Sequence, residues 1–426
     1  MRRTTSSPWS SVAGNVPGWM GHFRQDRLEN NRPMNGYLLI GAALVFASIL
    51  LTPISARIGA PLLLLFLTVG MLIGENGPGG VLFDDFALAY EIGSVALALI
   101  LFSGGLDTVK TEIRKAAAPA LVLATLGVVF TTAGIGVAAA WVFDLTLTEG
   151  LLLGAVVGST DAAATFLLLQ QRNIQLQGRV RETILVESGL NDPMAIFLTI
   201  VFVSLVDQGI ALSWSILPSM MPNLALQLGI GGIAGLVGGR ALAWMIDRVP
   251  LPTGLYPPFA LAGALTMFAA TQLAGGSGYL ALYLCGIVLR ACVHCPMERI
   301  IHFHEALAWL SQIVMFLMLG LLVTPRDLGV TLAPALVVAV ILMFAARPLA
   351  VTLCLAPFGF SMREMAYIGW VGLRGAVPIF LAIIPVISPG PVTVGFFNVV
   401  FVIVIASLLL QGWTIPVVAR WLRVAI

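Results

Sequence analysis

The amino-acid sequence predicts an all-α polytopic membrane protein of about thirteen transmembrane helices, built as inverted repeats with two crossed, broken helices. Three observations carry this. The 426 residues are 59% apolar and only 10% charged, where a soluble domain of average composition carries about 25% charged residues, and the mean hydropathy is +1.00. Apolar windows long enough to cross a bilayer recur along almost the whole chain. Charges segregate between alternate connections.

Residues 1–35 come first and are polar. They carry Arg2, Arg3, Arg24, Arg27 and Arg32 and no apolar core, so they are not a signal peptide. They read as a tail or as an over-extended start, the second being preferred because Met34-Asn35-Gly36 leads straight into the first span. Residues 36–426 form the transmembrane domain. Its apolar windows run roughly 36–51, 60–74, 90–106, 117–142, 148–170, 182–206, 222–246, 254–274, 277–293, 305–323, 329–356, 362–386 and 392–419. The second is short and borrows flanking residues.

Connections after odd-numbered spans, together with the C-terminus, carry fourteen Lys and Arg, among them Arg57, Arg114, Arg172, Arg179, Arg290, Arg363 and Arg420. Those after even-numbered spans carry only Arg326, beside Glu75, Asp84, Asp85, Asp144, Glu149, Asp207 and Asp327. The positive-inside rule places the odd connections and the C-terminus in the cytoplasm. No basic run suggests nucleic-acid binding. Four cysteines are too few for a disulfide framework. Cys292-x-x-Cys295, with His294 between and His302 and His304 nearby, has a metal-ligand spacing but no second pair, so no resident metal is expected. His302 and His304 read as solvated residues of a cytoplasmic loop. No nucleophile–His pair or metal cluster at membrane depth suggests an enzyme.

Five ionisable residues fall at membrane depth: Asp161, Glu187, Asp192, Arg347 and Arg374. Isolated, they would cost on the order of 10 kcal/mol or more, so pairing is expected. Three acids and two bases leave one carboxylate over, which a proton or a monovalent cation can neutralise. Asp161 lies in Gly158-Ser159-Thr160-Asp161, in mid-span, where unwinding would free hard oxygen ligands. Arg374 lies in Gly372-Leu373-Arg374-Gly375-Ala376-Val377-Pro378. These are spans five and twelve. An odd offset makes them cross in opposite directions, the pattern of a mid-membrane site between inverted repeats. Glu187 and Asp192 are five residues apart, roughly 140° around a helix. Ser188 shares the Asp192 face, so Asp192 and Ser188 are assigned to the ion site and Glu187 to an adjacent structural position. The expected ion pairs are Arg347 with Glu187 and Arg374 with Asp161. Glycines 231, 235 and 239 have small-xxx-small spacing, attributed to internal packing ahead of a dimer face.

The segments Gly158-Ser159-Thr160-Asp161, Glu187-Ser188-Gly189-Leu190-Asn191-Asp192-Pro193-Met194 and Gly372–Pro378 resemble the signatures of the monovalent cation:proton antiporter-1 family. Asp161-Ala162-Ala163-Ala164, Asn191-Asp192-Pro193-Met194 and the stretch 70–80 are similar to its bacterial potassium/proton, cell-volume-regulation subgroup. The resemblance implies thirteen helices in a dimerisation domain and a core domain, a homodimer in the bacterial inner membrane, and an elevator-like movement of the core. It implies that Asp192 binds proton or cation, helped by Thr160, Ser188 and Asp161, with Glu187 reaching the site directly or through water. Members of the subgroup usually carry a cytoplasmic ligand-sensing domain after the last helix, whereas this chain stops at Ile426. That leaves Na⁺ and K⁺ equally open.

Burial favours the neutral form of a carboxylate and a bound cation the charged form, so proton and alkali ion compete. With the untitratable Asn191 before Asp192, a single exchangeable carboxylate implies one proton per cation, an electroneutral cycle without cofactor. Asn191 is expected to hold the unwound backbone of span five. The alternative is a channel or uniporter on the same scaffold, with a site open to both sides.

Overall fold

The computed structural model describes residues 36, 38–53, 61–75, 77–108, 110–210, 217–292, 297–325 and 328–425. The 1–35 segment, Arg57, Arg326, Asp327, His294 and Cys295 lie outside them. Helix dominates, and the extended pairing among the described residues amounts to two isolated bridges. Helix α1 (Leu38–Pro53) stands at the start. From Leu51 the chain forms one compact unit. It comprises α2 (Leu62–Ile73), α3 (Phe86–Asp107), α4 (Ala116–Phe143), α5 (Leu147–Val156), α6 (Ala162–Gln171), α7 (Gly178–Asp207), α8 (Leu217–Arg248), α9 (Tyr256–Leu273), α10 (Gly278–Cys292), α11 (Met297–Leu321), α12 (Thr331–Phe358), α13 (Met362–Trp370), α14 (Ala376–Ile387) and α15 (Val394–Trp421).

Seven of these helices (α3, α4, α7, α8, α11, α12 and α15) are long and apolar enough to cross a membrane unaided. The protein is an integral membrane protein. Large apolar side chains such as Val137, Ile233 and Leu273 face outward, and Trp141, Trp244 and Trp421 stand exposed in the last turns of their helices, as interfacial tryptophans do.

Within the compact unit the helices pack as two sets. In one, α10 lies against α3 and α8, and α11 against α2 and α3. Glycines permit these approaches: a Cβ at Gly70 of α2 would stand 2.3 Å from the Leu317 carbonyl of α11, and one at Gly105 of α3 2.3 Å from the Tyr283 carbonyl of α10. Gly231, Gly235 and Gly239 of α8 do the same against Ser277, Ala281 and Cys285, so the small-residue stripe is internal packing. In the other set α4–α7 pack with α12–α15.

The second set is built twice over. Both α4 and α12 contain a π-turn, at Leu123–Gly127 and Leu342–Ala346. Both α5 and α13 open on a capping box, Thr146 with Glu149 and Ser361 with Glu364. Both are then interrupted, at 157–161 and 371–375. In the span numbering read from the sequence each pair is seven apart, the offset expected of the two interrupted motifs.

One expectation needs correction. Helix α11 starts at Met297, not near 305, because Ile300, Ile301 and Phe303 continue its apolar pattern. His302 and His304 are therefore helical rather than in a loop. His302 is exposed beside Glu305, at 3.6 Å. His304 is buried, its Nδ1 2.7 Å from the Ile300 carbonyl, between the rings of Phe102 and Phe303.

Candidate functional site

The two interruptions meet. After α5 the backbone leaves the helix through Ser159 and Thr160 to an extended Asp161, whose N–H donates to the Leu373 carbonyl in the second break at 2.8 Å. Asp161 caps the N-terminus of α6, its Oδ1 accepting from the Ala164 N–H at 3.0 Å. Its other oxygen lies over Gly375, where a Cβ would stand 2.1 Å from Oδ2. Only glycine fits there. The carboxylate thus sits at the positive ends of the two half-helices that leave the crossing.

Arg374 occupies the opposite polarity. Its Nη1 donates to the Gly158 carbonyl at 2.9 Å and also to the Ser159 carbonyl, the free acceptors beyond the C-terminus of α5. Its own N–H is held by Ser407 Oγ of α15 at 3.0 Å. The ion pair expected between Arg374 and Asp161 is therefore not made. Each charge instead meets the helix ends of opposite sign, and the fixed backbone groups at the crossing separate the two side chains.

Glu187 and Arg347 do meet. Arg347 Nη2 donates to both Glu187 carboxylate oxygens at 3.0 Å, with both side chains 2% exposed. Thr160 Oγ1 donates to Glu187 Oε1 at 3.3 Å. Asn191 Nδ2 donates to Thr160 Oγ1 at 2.6 Å and to Glu187 Oε1 at 3.1 Å. Asn191 therefore holds the Thr160 side chain rather than the unwound backbone. The backbone falls to Ser188, whose hydroxyl donates to the Thr160 carbonyl at 2.8 Å and accepts from the Ala162 N–H at 3.0 Å.

Asp192 is left. It is 6% exposed, and its hydrogen bond among the described residues is the one Ser159 Oγ donates to Oδ1 at 2.6 Å. Among the described residues no cationic side chain pairs with it. Pro193 follows it and brings no N–H to the Gly189 carbonyl one turn back, so that carbonyl lacks its helical donor.

A cavity of about 250 Å³ opens between the two helix sets and is bordered by Thr160, Asp161, Ser188 and Asp192. Glu187 and Asn191 stand behind this wall. The facing set contributes Asp107 of α3, Tyr283 of α10 and Gln312 of α11. A second cavity of about 250 Å³ shares Gly104, Asp107, Ala163, Phe166 and Gln312 with it and reaches Gln170 and Glu305. It lies toward the end of α3, the end of α6 and the start of α11, all adjoining basic odd-numbered connections.

Sequence reasoning did not single out Ser159, Asp107, Tyr283 or Gln312. Ser159 was visible in the interrupted motif, as a hydroxyl in the same unwound stretch. Asp107 was hidden by its place at a helix end, where a charge costs little, and Tyr283 and Gln312 enter through tertiary packing that no local pattern reports.

Two crossed half-helix pairs that hold opposite charges at their ends, beside a cavity bordered by Asp192 of the core set, which no cation or helix cap neutralises, and by Asp107 of the facing set, define an ion carrier of the inverted-repeat class. The chain belongs to the sodium/hydrogen exchanger transmembrane family, whose model matches residues 44–421. It is 48% identical over 393 residues to the K(+)/H(+) antiporter NhaP of Alkalimonas amylolytica, covering 92% of this chain and 68% of that protein. It is 46% identical over 395 residues to the K(+)/H(+) antiporter NhaP2 of Shewanella sp. strain ANA-3, with the same coverages. The solved sodium proton antiporter MjNhaP1 from Methanocaldococcus jannaschii superposes with a TM-score of 0.76 at 23% identity, covering 88% of this chain and 98% of that one. That likeness establishes the fold.

Proposed function

We propose that this protein exchanges a monovalent cation, Na⁺ or K⁺, for H⁺ across the membrane by alternating access, with Asp192 as the group that the two occupy by turns. The observation that carries this is charge accounting. Of the three acids at depth, Glu187 is held by Arg347, Asp161 by helix N-terminal amides, and Asp192 by a single hydroxyl. An unneutralised Asp192 at the cavity wall would cost several kcal/mol during transit through a dry region, so only the loaded site crosses. A single titrating carboxylate gives one proton per cation and no net current. Thr160 and Ser188, together with Asp161, border the cation's cavity, and Glu187 and Asn191 brace it from behind. No cofactor enters this cycle.

Counting each broken pair as one crossing gives thirteen, with the C-terminus in the cytoplasm of a bacterial inner membrane. The cavity then opens inward, and the set containing α4–α7 and α12–α15 is the moving core. Only 11% of the most apolar stretch of α8 is covered, which supports a homodimer formed through the other set. The 45–48% identity to proteins named as K(+)/H(+) antiporters favours potassium as the cation.

The test is reconstitution into vesicles under an imposed pH gradient, with Na⁺, K⁺ or Li⁺ added in turn. Exchange predicts that the cation collapses the gradient. Because proton and cation compete, the apparent KM for cation falls as pH rises, approaching about tenfold per unit where the proton dominates. Cation flux without counterflow of protons would establish the channel instead.

A further inference from the structure

We propose that Ser159 is a positioning residue for Asp192, the link through which the second broken helix sets the affinity of the site for its cation. The inference rests on the reading of Asp192 as the exchange carboxylate.

Ser159 is 1% exposed and does not border the cavity, whereas Asp192 does. Its hydroxyl reaches the carboxylate from the protein side and takes Oδ1 at 2.6 Å. Oδ2 has no protein donor among the described residues, so it is the oxygen free to face an incoming ion. A carboxylate with one hydrogen bond can rotate about χ2 once that bond is gone. Held by Ser159, it presents one fixed oxygen beside the Ser188 and Thr160 positions on the same wall.

What fixes Ser159 lies elsewhere in the chain. Its backbone carbonyl and that of Gly158 are both gripped by Arg374 Nη1. Arg374 is anchored through its N–H to Ser407, Ser407 donates to Gln411 Oε1, and Gln411 Nε2 donates to the Trp370 carbonyl at the end of α13 at 2.8 Å. An unbroken run of hydrogen bonds therefore leads from α13 and α15 through Arg374 to the Ser159 backbone, and through the Ser159 hydroxyl to Asp192. This gives Arg374 a purpose that an ion pair with Asp161 would not serve. Because the bond uses the oxygen turned away from the cavity, it persists with proton or cation bound. Its loss weakens loading and leaves the movement of the loaded carrier intact.

The experiment compares Na⁺- and K⁺-driven proton movement in vesicles of wild type, Ser159→Ala, Ser159→Thr and Asp192→Asn. For Ser159→Ala the expected result is a rise in cation KM of about tenfold or more, tenfold being the lower end of the factor for one hydrogen bond to a charged group, with Vmax within about twofold of wild type. Ser159→Thr, which keeps the hydroxyl, returns KM toward wild type. Should the alanine variant not be recovered folded, Ser159→Cys, which keeps the volume and weakens the donor, is read in the same way. An unchanged KM, or a fall in Vmax alone, beside an inactive Asp192→Asn overturns the role of Ser159 and leaves the exchange reading standing. An active Asp192→Asn overturns the exchange reading itself.

Discussion

Asp161 and Asp192 have the same side chain and border the same cavity, and their surroundings divide the labour between them. Asp161 receives the Ala164 amide and lies on Gly375, which makes it a fixed counter-charge for two helix ends. Asp192 receives one hydroxyl and stays available. The Glu187–Arg347 pair is a third arrangement, in which neither partner can be removed alone. Arg347→Met should strand a buried carboxylate and cost about 3–5 kcal/mol, read as a lowered unfolding temperature in detergent. Adding Glu187→Gln to that variant should recover more than half of the loss. These five charges were legible in the sequence because hydrocarbon makes each one conspicuous. Their partners were legible only for Glu187 and Arg347. Arg374 was paired with the wrong group because a side-chain ledger leaves out the backbone, and at a broken helix the ends of the peptide chain are the nearest charges of all. Ser159 was passed over for a related reason: a buried serine costs little, so nothing in composition flags it.

Among the helices, the two interruptions were readable from Gly158-Ser159-Thr160 and from Gly372 and Gly375, since these residues weaken a helix wherever they fall. The paired π-turns gave no such signal, because Leu123–Gly127 and Leu342–Ala346 share no helix-weakening residue at matching positions, and the second is made of ordinary helix formers. The paired capping boxes were readable, as Thr146-x-x-Glu149 and Ser361-x-x-Glu364, and would have sharpened the repeat. Contacts across the two helix sets are of another kind. The ring of Tyr283 on α10 lies on Gly189 of α7, where a Cβ would stand 2.2 Å from Cζ. Reciprocally, the ring of Phe380 on α14 lies on Gly93 of α3, where a Cβ would stand 2.6 Å from Cδ2, and stacks on Tyr90. Each set thus seats an aromatic ring on a glycine of the other, close to the cavity. Gly189→Val should force α7 from α10 at a cost of about 1–3 kcal/mol and lower the transport rate by about tenfold while the protein still folds. Tyr283→Ala in the same chain should restore much of the rate, and a double variant no better than Gly189→Val would show that the seat does not matter.

At the scale of the whole molecule, two helix sets meet at a cavity that opens toward the ends of α3 and α6, where the odd-numbered connections carry the basic residues. The charge alternation alone assigned those connections to the cytoplasm, and it did so because each short loop must choose a side. How the helices divide into two sets was not legible, since the spans share one largely apolar pattern and the partition is made by glycine contacts far apart in sequence. On the proposed cycle, one exchangeable carboxylate in the moving set makes exchange electroneutral. A membrane potential of 100 mV acts on one net charge with about 2.3 kcal/mol, so clamping the voltage should change the exchange rate by less than about twofold, whereas a strong voltage dependence would demand a second proton. The most direct test of the competition at Asp192 uses the purified protein in weakly buffered detergent solution and follows proton release as Na⁺ or K⁺ is added. The account predicts that wild type gives up one proton for each cation bound and that Asp192→Asn gives up none. Equal proton release from the two proteins would contradict it.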